Sequence, residues 1–326
     1  MKSSFKNVLK TICLSLVLLL PVATHAAPTG EIIFQHPKDY SELWIGNVND
    51  GRSAQLLFKL PHDITTFSIQ RDGRYIVAVI QIKGKDELDS FHDVYLLDRK
   101  NPNAGPKRLT QGEYSELYDA DVSPDGDVVF TNHSFVVPLE RGLYLIPNTE
   151  IERKEPIAKL LLKNNPFQVD WAPNGKKIAY NTEAGIFIFD TITKETSHII
   201  RDDGFPVFSP NSKHLAFLTK TEPYKIGIVS VVGPRNLRYI EPEENAYIEF
   251  LTWSADGEYL VYASYIDRIP IFSYFNFAVH IESGVTERVL ETYGGLWEFE
   301  WATRRYALEP EGLLTTVWGK LKTKSK

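Results

Sequence analysis

The sequence predicts an all-β fold: a six-bladed β-propeller closed by pairing strands from the two chain ends. Three observations predict it. A short turn signature recurs at intervals of 53, 49, 37 and 45 residues, a period typical of propeller blades. Each copy lies between apolar runs of strand length and is followed by a second hairpin. The two halves of one further hairpin stand at opposite ends of the chain.

Residues 1–26 read as an export signal. Lys2, Lys6 and Lys10 form a basic start, Thr11 to Leu20 an apolar run broken by Pro21, and Thr24-His25-Ala26 a small-residue cleavage site. The apolar run is shorter than the ~20 residues that span a bilayer. Cleavage after Ala26 places the mature chain in the periplasm or outside the cell, with no membrane span. The single cysteine, Cys13, and the single methionine, Met1, both fall in this segment. The mature chain is therefore expected to lack disulfides, thiol nucleophiles and thiolate metal sites, and about 300 residues bury an ample core without them. Formal net charge is −6, and −9 without the three signal lysines. That balance disfavours a nucleic-acid partner.

The repeats are aligned on one turn residue: Asp72, Asp125, Asn174, Asn211 and Asp256. Ser123-Pro124-Asp125-Gly126 is the fullest copy. Proline suits the second position of a β-turn, Asp or Asn can bond nearby backbone, and glycine takes a left-handed conformation. Alternating strands follow each copy, such as Val94-Tyr95-Leu96-Leu97 and Ile186-Phe187-Ile188-Phe189. A sixth second hairpin opens the chain, Leu43-Trp44-Ile45-Gly46 turning through Asn49-Asp50-Gly51. Glu31-Ile32-Ile33-Phe34 resembles half of a first hairpin, and Trp297-Glu298-Phe299-Glu300-Trp301 its inner strand. Pairing them removes the open edges of a linear array. A count of seven blades is the alternative, from a possible turn at Glu309-Pro310-Glu311-Gly312. The propeller is assigned to 27–318 and a basic tail to 319–326. Trp171, Phe208, Phe217, Trp253 and Tyr262 are expected to pack between blades.

The Ser/Ala-Pro-Asp/Asn-Gly signature, with Leu109-Thr110-Gln111-Gly112 before its fullest copy, resembles the repeat of TolB-like β-propellers over about residues 28–302. The resemblance implies a propeller alone, without the additional N-terminal domain of TolB. Related propellers precede the hydrolase domain of prolyl-peptidase-like enzymes, but no Gly-x-Ser-x-Gly elbow occurs here.

With four antiparallel strands, a to d, in each blade, the a–b and c–d turns share one face, and the b–c and d–a loops share the other. By analogy with other propellers the second face binds ligands. It is expected to carry His36, His62, His92 and His133. Its expected carboxylates are Asp39, Asp86, Glu87, Asp89, Asp93, Glu113, Glu116, Glu183, Asp202, Asp203, Glu222, Glu243, Glu244 and Asp267. Its expected aromatics are Tyr114, Tyr118, Tyr224, Tyr247, Tyr265 and Tyr293.

Two functions follow. The first is a non-enzymatic binding or scaffold protein, monomeric and without a cofactor, taking an envelope protein, peptide or glycan on this face through Tyr118 and Tyr247, since tyrosine combines contact area with a polar tip. The second is a metal-dependent lyase or hydrolase of acidic glycans, in which several of the four histidines converge, as in propeller lyases acting on uronic-acid oligomers. No His-x-x-x-His spacing, nucleotide fingerprint or nucleophile motif adds support for chemistry.

Overall fold

The computed structural model describes residues 27–84, 90–134, 140–202, 204–220, 223–242, 247–265 and 274–302. The expected export signal, the possible turn at Glu309-Pro310-Glu311-Gly312 with the rest of 303–318, and the basic tail lie outside them. The described residues form six four-stranded antiparallel sheets.

Blade 1 runs Phe299–Trp301, Glu31–His36, Asp39–Asn47 and Asp50–Lys59 from strand a to strand d. Blade 2 is Ile64–Ile69, Tyr75–Ile82, Phe91–Asp98 and Lys107–Arg108. Blade 3 is Leu117–Val122, Val128–Asn132, Gly142–Ile146 and Lys159–Leu162. Blade 4 is Val169–Trp171, Lys177–Thr182, Gly185–Asp190 and Thr196–Ile200. Blade 5 is Val207–Phe208, His214–Leu218, Ile226–Ser230 and Leu237–Ile240. Blade 6 is Tyr247–Trp253, Tyr259–Tyr265, Tyr274–His280 and Thr286–Val289.

The ends close as the sequence predicts. Ile32 pairs with Trp301, Ile33 with Glu300 and Phe34 with Phe299. Blade 1 therefore takes its inner strand from the C-terminal side and the other three from the N-terminal side.

The core is divided among the joints between blades. Ile33, Leu43 and Ile45 pack on Phe67, Ile76 and Ile80 between blades 1 and 2. Trp171 and Tyr180 meet Val129 and Leu143 between blades 3 and 4. Phe208 and Phe217 join blades 4 and 5, and Trp253 and Tyr262 join blades 5 and 6. Alternation explains this: one side of each strand faces the preceding blade and the other side the next. Both sides are consequently apolar, as in Tyr75–Ile82, where Ile76 to Ile80 are all buried.

The a–b turns share one geometry. Gly126 has φ +91°, and its N–H donates to Ser123 O at 3.0 Å. The same bond closes the turn at Gly73, Gly175 and Gly257. Ser212 holds the equivalent position at φ +59°, where a non-glycine residue carries strain. The Asp or Asn before it accepts an N–H two residues on at Asp72, Asn174, Asn211 and Asp256. In blade 3 the Ser123 hydroxyl accepts from the N–H groups of Asp125 and Asp127 instead.

The Leu109-Thr110-Gln111-Gly112 segment is a clamp. Buried Asp93 accepts from Thr110 Oγ1 at 2.7 Å and from the Gly112 N–H at 2.8 Å, and pairs with Arg108. Sequence reading puts Asp93 on the ligand face; the structure buries it under this loop because three donors converge there. Tyr114 is corrected likewise. It is buried in edge contact with Phe130 and Tyr144 rather than displayed. Tyr293 packs on Phe34, and its hydroxyl donates to Asn47 O.

Candidate functional site

The six a strands stand side by side around a central channel. Their channel-side edges carry backbone N–H groups with no further strand to accept them, and such donors need partners when buried. Carboxylates supply several. The Val169 N–H donates to Asp119 Oδ2 at 2.9 Å, the Trp171 N–H to Asp121 Oδ2 at 2.6 Å, and the Phe208 N–H to Asp170 Oδ2 at 2.6 Å. The Phe67 N–H and the Thr66 hydroxyl donate to Glu298 Oε1 at 3.2 and 2.7 Å. Each carboxylate thus fastens the inner strand of the following blade: blade 3 to 4, 4 to 5, and 1 to 2. Thr252 Oγ1 donates to Glu300 Oε2 at 3.3 Å, tying blade 6 to blade 1.

The result is a cavity of about 230 Å³ lined by Asp119, Asp170, Glu249, Glu298 and Glu300, with Thr66, Ser68 and Gln168. No Lys, Arg or His is among its described lining residues. Carboxylates removed from water and close to one another resist ionisation. Burial pushes Glu298 up to about 8, helped by Glu300. It pushes Asp119 well above the usual carboxylate range, with Glu298 and Asp170 adding to the effect. Glu298 is only 5% exposed, and its Oε2 has no hydrogen-bond partner.

Aromatics surround the mouth on the b–c/d–a face. Tyr118 is 40% exposed and Trp297 47% exposed, and both line the cavity. Tyr247, 42% exposed, begins the inner strand that carries Glu249. Tyr118 leans on His133 and Phe167, Tyr247 on Tyr224, and Trp297 on Tyr274, whose hydroxyl donates to Glu249 at 2.9 Å. Trp297 and Thr65 also line a neighbouring groove of about 570 Å³ with Tyr40 and Pro37.

The four histidines stand apart. His36 stacks on Trp44 in blade 1, and His62 is exposed in the loop before blade 2. His92 lies inside strand c of blade 2 rather than in a loop, with Nδ1 3.1 Å from Ser115 O. His133 is buried against Tyr118 and Phe167, with Nε2 on Pro166 O. Burial lowers the pKa of both His92 and His133. Among the described residues, no three His, Cys, Asp or Glu side chains stand close enough to hold a metal ion. Asp86, Glu87, Asp89, Asp203, Glu222, Glu243, Glu244 and Asp267 lie outside the described residues.

Sequence reading missed the channel carboxylates and Trp297. A signal for them exists: Asp121, Asp170 and Glu300 occupy one register of the repeat, four positions before the turn residue where that residue is aligned. A carboxylate between the apolar residues of an inner strand must face something polar.

No protein-family model matches the chain, and no curated protein is similar to it in sequence. Solved structures resemble it in fold. The β-propeller domain of Cps50 (Swd1) from Myceliophteria thermophila aligns at TM-score 0.55 and 16% identity, over 82% of this chain and 88% of that one. An oligogalacturonate lyase in complex with manganese aligns at 0.50 and 16%, over 80% and 72%. Kuenenia stuttgartiensis hydrazine synthase aligns at 0.48 and 15%, over 68% of this chain, which spans 64% of the length of that one. The chain is a six-bladed β-propeller. At these identities the likeness is one of fold.

Proposed function

We propose that the protein is a non-enzymatic binding or scaffold protein that takes a protein or peptide partner on its b–c/d–a face. The observation that carries this reading is the set of exposed aromatics on that face: Tyr118 and Trp297 line the channel cavity, Tyr40 lines the adjoining groove, and Tyr247 begins the inner strand that carries Glu249. Large rigid side chains left in water on one face favour a partner that covers them. The opposite face is built of tight, hydrogen-bonded turns. The export signal read in residues 1–26 supports a partner in the envelope or outside the cell, and the resemblance to TolB-like repeats fits that setting. Among the described residues no helix is long and apolar enough to cross a membrane.

The test is affinity capture from an envelope extract with the mature protein, with identification of what is retained. Changing Tyr118 and Tyr247 to alanine is expected to abolish capture of the specific partner. Capture that is unchanged in the double variant counts against this face.

A further inference from the structure

Resting on that reading, we propose that the acidic channel mouth receives a basic side chain, arginine or lysine, of the bound partner. Three observations converge on a cationic guest. Five carboxylates from four blades line one cavity, and no basic residue is among its described lining residues. One of them, Glu298, keeps a buried oxygen without a partner although its other oxygen holds blade 2. Tyr118 and Trp297, both exposed, line the same cavity, and aromatic rings attract a cation.

The spacing selects the kind of cation. Tight metal coordination needs ligand atoms converging on one point, and the described carboxylates do not converge so. They are distributed around a ring on different strands. A guanidinium or ammonium presents several N–H donors in different directions and suits such a ring. An arginine fork would meet the open oxygen of Glu298 with charge-assisted hydrogen bonds. The adjoining groove along Tyr40 and Trp297 accommodates the backbone that carries it. A free diamine would fill the channel but leave the aromatics uncovered, so the guest is assigned to a partner's side chain.

Titration supports the same picture. Burial holds the Glu298 proton up to about pH 8. Asp119, Asp170, Glu249 and Glu300 also face the cavity, while Arg141 acts on Tyr118 and Lys220 covers Phe167 farther out. An entering cation favours the ionised form of Glu298, so binding releases a proton and strengthens from pH 6 to pH 9.

The experiment uses calorimetry on the mature protein with an acetylated, amidated glycine pentapeptide carrying one central arginine. The same peptide with citrulline at that position, and agmatine, serve as comparisons. The arginine peptide is expected to bind at least tenfold more tightly than the citrulline peptide. Glu298→Gln is expected to weaken arginine binding at least tenfold, and Glu258→Gln, at an a–b turn, to leave it unchanged. Should Glu298→Gln fail to fold, Glu249→Gln supplies the same reading with an expected loss of several-fold. Equal binding of the two peptides, or arginine binding indifferent to the channel variant that folds, overturns the proposal. Agmatine binding without peptide binding overturns the assignment to a partner's side chain. A partner captured through Tyr118 and Tyr247 but indifferent to the same channel variant overturns this inference and leaves the binding reading intact. Arginine-peptide binding without such capture does the reverse.

Discussion

The two ends of the propeller are built on opposite principles. At the a–b end, each turn is closed by bonds between near neighbours, as where Gly126 donates to Ser123 and Ser123 accepts from Asp125 and Asp127, and amides such as Gln70, whose Nε2 donates to Ser123 O and Pro124 O, tie one turn to the next. At the other end the polar groups are satisfied across the ring. Glu298 reaches Thr66, 232 positions away, and Asp119 reaches Val169, 50 positions away. The turn bonds there are made between neutral groups and short-range side chains, with no cluster of carboxylates among the described residues. Long-range satisfaction leaves a crowded set of carboxylates, and among those lining the cavity Glu298 keeps one buried oxygen unpaired. One end is framework, and the other holds unsettled charge.

Substitutions at the two ends can break this contrast. Gly295 lies on the loop side at φ +89°, and an added Cβ would fall 1.9 Å from Tyr274 O. Gly295→Ala is expected to cost about 3 kcal/mol or more, because backbone conformation and backbone contact both oppose it. Urea melts would show it, and a loss below about 1 kcal/mol would mean the loop readily rearranges.

Glu298→Gln tests the stored charge. The folded protein holds the Glu298 proton to about pH 8 against an ordinary value of 4.5. The folded state therefore binds more protons than the unfolded one between those values, and wild-type stability falls as pH rises through that window. Glutamine keeps an acceptor for Phe67 and Thr66 but cannot ionise. Between pH 5 and pH 8.5 the wild type is expected to lose about 3 kcal/mol relative to the variant, the order that a raise of this size carries. Parallel stability curves for the two proteins would remove the charge argument.

At the framework end, Gly126→Val should cost about 1–3 kcal/mol, from left-handed strain on a β-branched residue. Its nearest neighbours would be ordinary contacts, Asn148 Cβ at 3.7 Å and Tyr75 Cε2 at 3.9 Å. Arginine-peptide affinity, measured on the same protein, should not move. The smallest effect belongs to Asp125→Asn, under about 1 kcal/mol by thermal melt. Asparagine already serves at Asn174 and Asn211, and in blade 3 Ser123 accepts the turn's N–H groups. A larger loss at Asp125 than at Gly126 would reverse the assignment of the turn.

Blade number and closure were legible in the residues because their causes are local. Turn chemistry needs four or five neighbours, and strand alternation needs six or eight. The end strands of blade 1 were legible for the same reason, each carrying the pattern of half a hairpin. Exposure was partly legible: Tyr118 and Tyr247 are displayed, but Tyr114 and Asp93 are buried, since loop position alone does not say which loops fold back. Among the described residues the histidines are not gathered into a metal site. Their residue type suggested chemistry, while each one settled against an aromatic ring, a backbone carbonyl or solvent on its own blade or the next.

By itself, then, the sequence determined an all-β ring of repeated four-stranded units, with turns closed by local hydrogen bonds. Only the tertiary structure decided which polar residues meet. Asp119, Asp170, Glu249, Glu298 and Glu300 share no stretch of chain. They become neighbours because ring closure brings six inner strands around one axis, and there their charges cannot be diluted by water.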